Sequence, residues 1–177
     1  MHVEMLVLVD NNDQQIGLAE KIYAHEHGLL HRAFSVFIVR EHNNEIEILL
    51  QQRNNNKYHC GSLWTNTCCS HPRDNEDIVI AGERRLYEEM GLKIKLSKLG
   101  SFIYRAEFGN GLIENEYDHV LLGYYNNENI AINVDEVQNY KWFSMRLLQQ
   151  QLLIEPELYT PWLSQALNIV QKHMEQK

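Results

Sequence analysis

Glu76-Asp77-Ile78-Val79-Ile80-Ala81-Gly82-Glu83-Arg84-Arg85-Leu86-Tyr87-Glu88-Glu89-Met90-Gly91 carries the strongest helical signal in the chain. Val79, Leu86 and Met90 fall seven and four residues apart and so share one helix face. Asp74 or Asn75 is expected to cap the start, and Glu76 and Asp77 put negative charge in the first turn, where the helix dipole favours it. Gly91 can take the left-handed conformation that stops a helix. Arg84 with Glu88 and Arg85 with Glu89 are i, i+4 pairs of the kind any surface helix carries.

Outward from this helix the chain is rich in strands. Met5–Val9, Ile16–Ala19, Phe34–Val39 and Ile46–Gln51 precede it, with turns at 10–13 and 41–44 and a loop at Asn54-Asn55-Asn56. Strands near Leu99–Tyr104, Tyr117–Tyr125 and Gln138–Phe143 follow, and helices near Ser144–Leu153 and Tyr159–Met174 end the chain, with Pro161 in the first turn of the last. The expected architecture is α/β, a mixed β-sheet packed between helices, in a single domain over residues 1–177.

Composition excludes several classes. With 16 Lys and Arg against 24 Asp and Glu, the formal net charge is −8, and no basic stripe suggests nucleic acid. No apolar run approaches the roughly 18 residues of a membrane span, and no signal peptide is visible, so a cytoplasmic protein is expected. Three cysteines, Cys60, Cys68 and Cys69, do not make a disulfide framework. Each is left as a buried apolar residue, a ligand or a nucleophile.

A second group of residues suggests metal chemistry. His25 and His31 precede the Phe34 strand, and His71 follows Cys69 by two residues. In Glu114-Asn115-Glu116 the carboxylates are two apart, so on a strand both face one side. Three imidazoles with two carboxylates suit Mn²⁺, Fe²⁺ or Zn²⁺. His2, His42, His119 and His173 read as surface residues, and His27 and His59 lie near the constellation without a role.

The helix resembles the core of the Nudix box, in which an Arg and several Glu hold a divalent metal against a diphosphate. Glu76, eight residues before Arg84, extends the match. Ser70 stands where the box opens with Gly, and Arg85 stands where a metal-binding Glu follows the Arg. The helix is therefore expected to keep its geometry but to have given up water activation. Leu30-His31-Arg32-Ala33-Phe34-Ser35, Trp64-Thr65-Asn66-Thr67-Cys68-Cys69-Ser70-His71-Pro72, Tyr104-Arg105-Ala106 and Glu114-Asn115-Glu116 resemble the signature blocks of type I isopentenyl diphosphate isomerase, in order, over about residues 5 to 165. His59-Cys60-Gly61 departs from the aromatic-Pro-Gly common there.

This resemblance implies a Nudix-like α/β/α sandwich and an isomerase that interconverts isopentenyl and dimethylallyl diphosphate. It implies Cys69 and Glu116 as the acid/base pair, with Tyr104 in the same proton path. It implies His25, His31, His71, Glu114 and Glu116 as ligands of one Mn²⁺ or Zn²⁺. Glu89, with the Cys69 main-chain carbonyl, would hold Mg²⁺ with the substrate diphosphate. Lys21, Arg53, Lys57 and Arg85 would bind that diphosphate, and Tyr104 and Trp162 would line the hydrocarbon pocket. The expected partner is the small substrate alone, with no nucleic acid or membrane, in a monomer or homodimer. The rival readings are a Nudix hydrolase of a nucleoside diphosphate derivative and a non-catalytic Nudix-like module. Arg85 and the Cys69/Glu116 pair weigh against the first, and the filled ligand positions against the second.

Overall fold

The computed structural model describes residues 4–57 and 59–176, so the reading of His2 lies outside the described residues. In chain order the elements are β1 (Met5–Val9), β2 (Gln15–Glu20), α1 (Lys21–His27), β3 (His31–His42), β4 (Glu45–Arg53), β5 (Trp64–Thr65) and β6 (Cys68–Ser70). There follow α2 (Ile78–Met90), β7 (Ser97–Glu107), β8 (Ile113–Tyr124), β9 (Val137–Ser144), α3 (Met145–Ile154), a 3-10 turn at Pro156–Leu158 and α4 (Leu163–Glu175).

β3 organises the sheet. It pairs in parallel with β8 from His31 opposite Glu116 to Val39 opposite Tyr124. It is antiparallel to β6, with Ser35 opposite Cys69, and to β4, which in turn pairs with β9. The β3–β4 hairpin turns on Asn43 and Asn44, both at positive φ, which Asn tolerates better than branched residues.

Side-chain alternation builds two cores. Val36 and Ile38 of β3, with Leu49 and Leu121, pack under Leu86 and Met90 of α2. Phe37 and Val39, with Leu50, Val120 and Leu122, pack on the other face against Leu148 of α3 and Leu163, Leu167 and Val170 of α4. β3 is buried on both faces, which explains its continuous apolar run, and helices on both sides give the α/β/α layering expected from sequence.

Local readings need several corrections. α2 is capped by Asp77, whose Oδ1 accepts from Val79 N at 2.9 Å and Ile80 N at 3.1 Å. Asn75 instead sits at φ +58° in the preceding turn. Glu76 therefore lies outside the helix and binds Arg84 through two hydrogen bonds of 2.7 and 2.8 Å. Pro161 precedes α4 in a turn rather than standing in its first turn, which leaves Trp162 at the helix entrance. α1 was not foreseen, because seven residues are too few to show periodicity. His119 is 1% exposed, not a surface residue, because strand alternation turns it beneath Asp13 and Arg32.

Candidate active site

A cleft of about 850 Å³ gathers residues from distant segments, among them Cys69, His71, Glu114, Glu116 and Trp162. The charged residues Lys21, Arg53, Lys57 and Arg85 also line it. The register explains the convergence. Ser35 opposes Cys69 across β3–β6, His31 opposes Glu116 across β3–β8, and Tyr104 opposes Glu116 across β7–β8. Paired residues share a face, and so do residues two apart along a strand. Cys69, His31, Glu114, Glu116 and Tyr104 thus all belong to the α4 face.

The same alternation separates the adjacent cysteines. Cys68 is fully buried beneath α2, whereas Cys69 lines the cleft with Arg53 Nη1 3.4 Å from its sulfur. Burial pushes the Cys69 thiol up to about 12, with Arg53 opposing, so it carries its proton at neutral pH. Such a thiol is held protonated and is not a ready nucleophile.

Around Glu114 and Glu116 three imidazoles converge. α1 is capped by the Glu20 carboxylate and ends at Gly28, φ +59°, whose carbonyl accepts from Asn115 Nδ2 at 2.9 Å. That tie brings His25 beside β8. His25 Nδ1 lies 2.7 Å from the Lys21 carbonyl and His31 Nδ1 2.8 Å from the Leu29 carbonyl. With Nδ1 as the donor in each, Nε2 keeps its lone pair for a metal. The His25 and His31 Nε2 atoms stand 3.6 and 3.5 Å from Glu114 and Glu116 oxygens, and His71 Nε2 stands 3.1 Å from Glu116.

Ligands about 2.1 Å from one ion, at angles of about 90 to 120°, stand about 3.0 to 3.6 Å apart, so these separations fit a shared divalent cation. The imidazole nitrogens of His25, His31 and His71 also lie within 4.8 Å of one another. His31 Nε2 is buried with no hydrogen-bond partner among the described residues, which leaves it available to an ion.

Electrostatics separates the two carboxylates. Burial and the neighbouring Glu114 charge push Glu116 up to about 7. Burial also opposes the Glu114 charge, but His25 and His59 outweigh it and hold Glu114 well below the usual carboxylate range. Tyr104 donates to Glu114 Oε2 at 2.5 Å, and burial with both carboxylates raises its phenol well above the ordinary value.

Glu89 is 3% exposed and is held by Gln51 Nε2 at 2.8 Å and Arg85 at 2.5 Å. Arg85 also reaches Glu88 at 2.8 Å, Lys57 pairs with Glu136, and Lys21 lies 2.9 Å from Glu4. These cations are thus held at the cleft by carboxylates. Trp162 donates Nε1 to Asn66 Oδ1 at 3.1 Å, and Asn66 Nδ2 donates to the Val36 and Cys68 carbonyls at 3.2 and 2.7 Å. Asn66, inside the Trp64–Pro72 block, thereby fixes both the indole and the strand that carries Cys69.

Residues 29–163 match the NUDIX domain family. The chain is 50% identical over 171 residues to the isopentenyl-diphosphate Delta-isomerase of Photobacterium profundum, covering 94% of each chain. The chain belongs to this isomerase family. An isopentenyl-diphosphate Delta-isomerase 2 from Photorhabdus laumondii is 48% identical over 165 residues, covering 93% of this chain and 91% of the relative. Among solved structures, a Deinococcus radiodurans protein superposes with TM-score 0.74 at 14% identity, over 93% of this chain and 98% of that one, a likeness of fold alone. Like other members of the isomerase family, the chain is an enzyme. Three residues the sequence reading passed over stand at the site. His59 lies against Glu114, Asp118 accepts from Ser35 Oγ at 2.7 Å behind Glu116, and Gln51 holds Glu89. Asp118 continues the i, i+2 series from Glu114, a signal that was legible; His59 was visible near the constellation but carried no role, and nothing local marked Gln51.

Proposed function

We propose that this cleft interconverts isopentenyl diphosphate and dimethylallyl diphosphate, in a single catalytic domain spanning the chain. The observation that carries the reading is that Cys69 and Glu116 line one cleft, with Glu116 set among three imidazoles. Moving the double bond needs one proton added to an alkene carbon and one removed from another, through a tertiary cation. Cys69, protonated and half-buried, and Glu116, poised by burial near neutrality, suit the two posts, and each can serve as donor or acceptor according to direction. Tyr104, bonded to Glu114 and opposite Glu116 in the strand register, would stand in that proton path. Trp162, 3% exposed, offers a face that stabilises a nearby cation by about 0.5–2 kcal/mol without supplying a nucleophile.

Lys21, Arg53, Lys57 and Arg85 would take the diphosphate, whose binding keeps the hydrocarbon in register. His25, His31, His71, Glu114 and Glu116 would hold one Mn²⁺ or Zn²⁺; Glu89 and the Cys69 carbonyl would hold Mg²⁺ with the diphosphate. When bound, these ions orient Glu116 and neutralise the phosphate charge. We place the enzyme in the cytoplasm, as a monomer or homodimer without nucleic-acid partners; no helix among the described residues is long and apolar enough to cross a membrane. The test is incubation of metal-replete protein with isopentenyl diphosphate in heavy water. Dimethylallyl diphosphate carrying deuterium is expected, and folded protein giving neither product nor exchange would refute the reading.

A further inference from the structure

His59 stands in the loop joining β4 to β5, two residues after Lys57, in the stretch that departs from the family pattern. It is 7% exposed. Its ring stacks on Phe108 at 4.8 Å and 8°, and Trp162 meets it edge-on at 6.3 Å. Held on two sides by aromatic rings, the imidazole presents Nε2 to Glu114 Oε1 in a close contact. The other oxygen of that carboxylate accepts from Tyr104 at 2.5 Å, and His25 Nε2 approaches Oε1 at 3.6 Å. His25, His59 and Glu114 form one group of ligand atoms within 4.8 Å, and His25, His31 and His71 form another. The two groups share His25, and His59 does not belong to the three-imidazole group; it meets that group through Glu114, where a partner can orient a ligand.

We propose that His59 is a positioning residue of the metal centre, donating from Nε2 to Glu114 and fastening the loop that carries Lys57 to the metal-binding carboxylate. A carboxylate fixed by a donor loses less rotational freedom when it binds an ion, so removing such a partner typically weakens metal binding about 10- to 100-fold. Among the described residues this loop is also tied through the Lys57–Glu136 pair, through Arg53 Nη2, which donates to the His59 carbonyl at 3.4 Å, and through Asn54 Nδ2, which donates to the Val134 carbonyl at 2.7 Å. A clasp at His59 would then make metal occupancy and diphosphate binding reinforce each other.

The proposal rests on reading the His/Glu cluster as a metal site, and the experiment separates the two. Mn²⁺ is titrated into metal-free protein, with free Mn²⁺ followed by electron paramagnetic resonance, for wild type, His59→Phe and His59→Gln. His59→Phe keeps the stack on Phe108 but has no donor, and is expected to bind Mn²⁺ about 10- to 100-fold more weakly. His59→Gln offers an N–H and should recover part of that loss, which a purely structural role would not predict. The metal-free melting temperature of His59→Phe should stay near wild type. If His59→Phe fails to fold, His59→Ala takes its place with the same expected loss. Wild-type affinity in the donor-less variant, or no recovery in His59→Gln, overturns the proposal while the metal site stands. A wild-type protein that binds no Mn²⁺ overturns the metal site and the proposal together.

Discussion

Acidification from about pH 7 to about pH 5 should cost the fold about 2 kcal/mol through one side chain, His119. Its imidazole is 1% exposed, with Asp13 of the β1–β2 turn 3.0 Å from Nε2 and Arg32 of β3, Lys98 of β7 and Tyr117 of β8 around it. Arg32 already pairs with Asp13 at 2.7 Å, so the carboxylate has little left to offer a second cation. Burial, then Lys98, pull His119 from 6.5 down to about 4. Between those values the unfolded chain binds a proton that the native protein refuses. The contribution is fully present above about pH 6.5 and is lost as pH falls towards 4. The whole gap corresponds to about 3 kcal/mol, of which about 2 is lost by pH 5. Urea unfolding at both pH values, in chelator so that the metal ligands do not differ, measures it for wild type and His119→Gln. Wild type should lose about 2 kcal/mol more than the variant on acidification. Equal losses would refute the reasoning, whatever the variant's absolute stability.

Three further outcomes follow from the site and the core. Cys69→Ala should lower the isomerisation rate at least about 100-fold, seen by product assay, with the urea midpoint little changed because Cys69 lines a cleft instead of filling a core. Tyr104→Phe removes a buried hydrogen bond to a carboxylate, worth about 1.5–3 kcal/mol, and should weaken Mn²⁺ binding or turnover about 10- to 100-fold in a titration or rate assay. Leu86→Ala, at a fully buried position on the core face of α2, should cost about 3–5 kcal/mol in urea unfolding while leaving any remaining folded protein active.

Much of this molecule was legible in one dimension. The β3 strand announced itself because both of its faces are buried, so no polar residue interrupts Phe34–Val39 except Ser35. The α2 helix was visible because its apolar stripe and its ion pairs follow the helical repeat, and Arg84–Glu88 and Arg85–Glu89 form as expected. α1 was invisible because its seven residues owe their position to the Glu20 cap and the Asn115 tie. The cap of α2 was misassigned because Asp74, Asn75 and Asp77 are all good caps, and only the turn at Asn75 decides among them.

What the sequence alone determined is the α/β/α class, the family, and a set of candidate reactive and ligating side chains, because local patterning and specific blocks survive without coordinates. What only the tertiary structure decided is which neighbours act together. Cys68 and Cys69 are adjacent in sequence, yet strand pleating sends one into the core and the other to the cleft. His119 and His59 look alike as isolated histidines, but pairing and burial seal one beneath Asp13 and press the other against Glu114. Side-chain direction and charge environment arise from contacts between segments far apart in the chain, and no local reading can supply them.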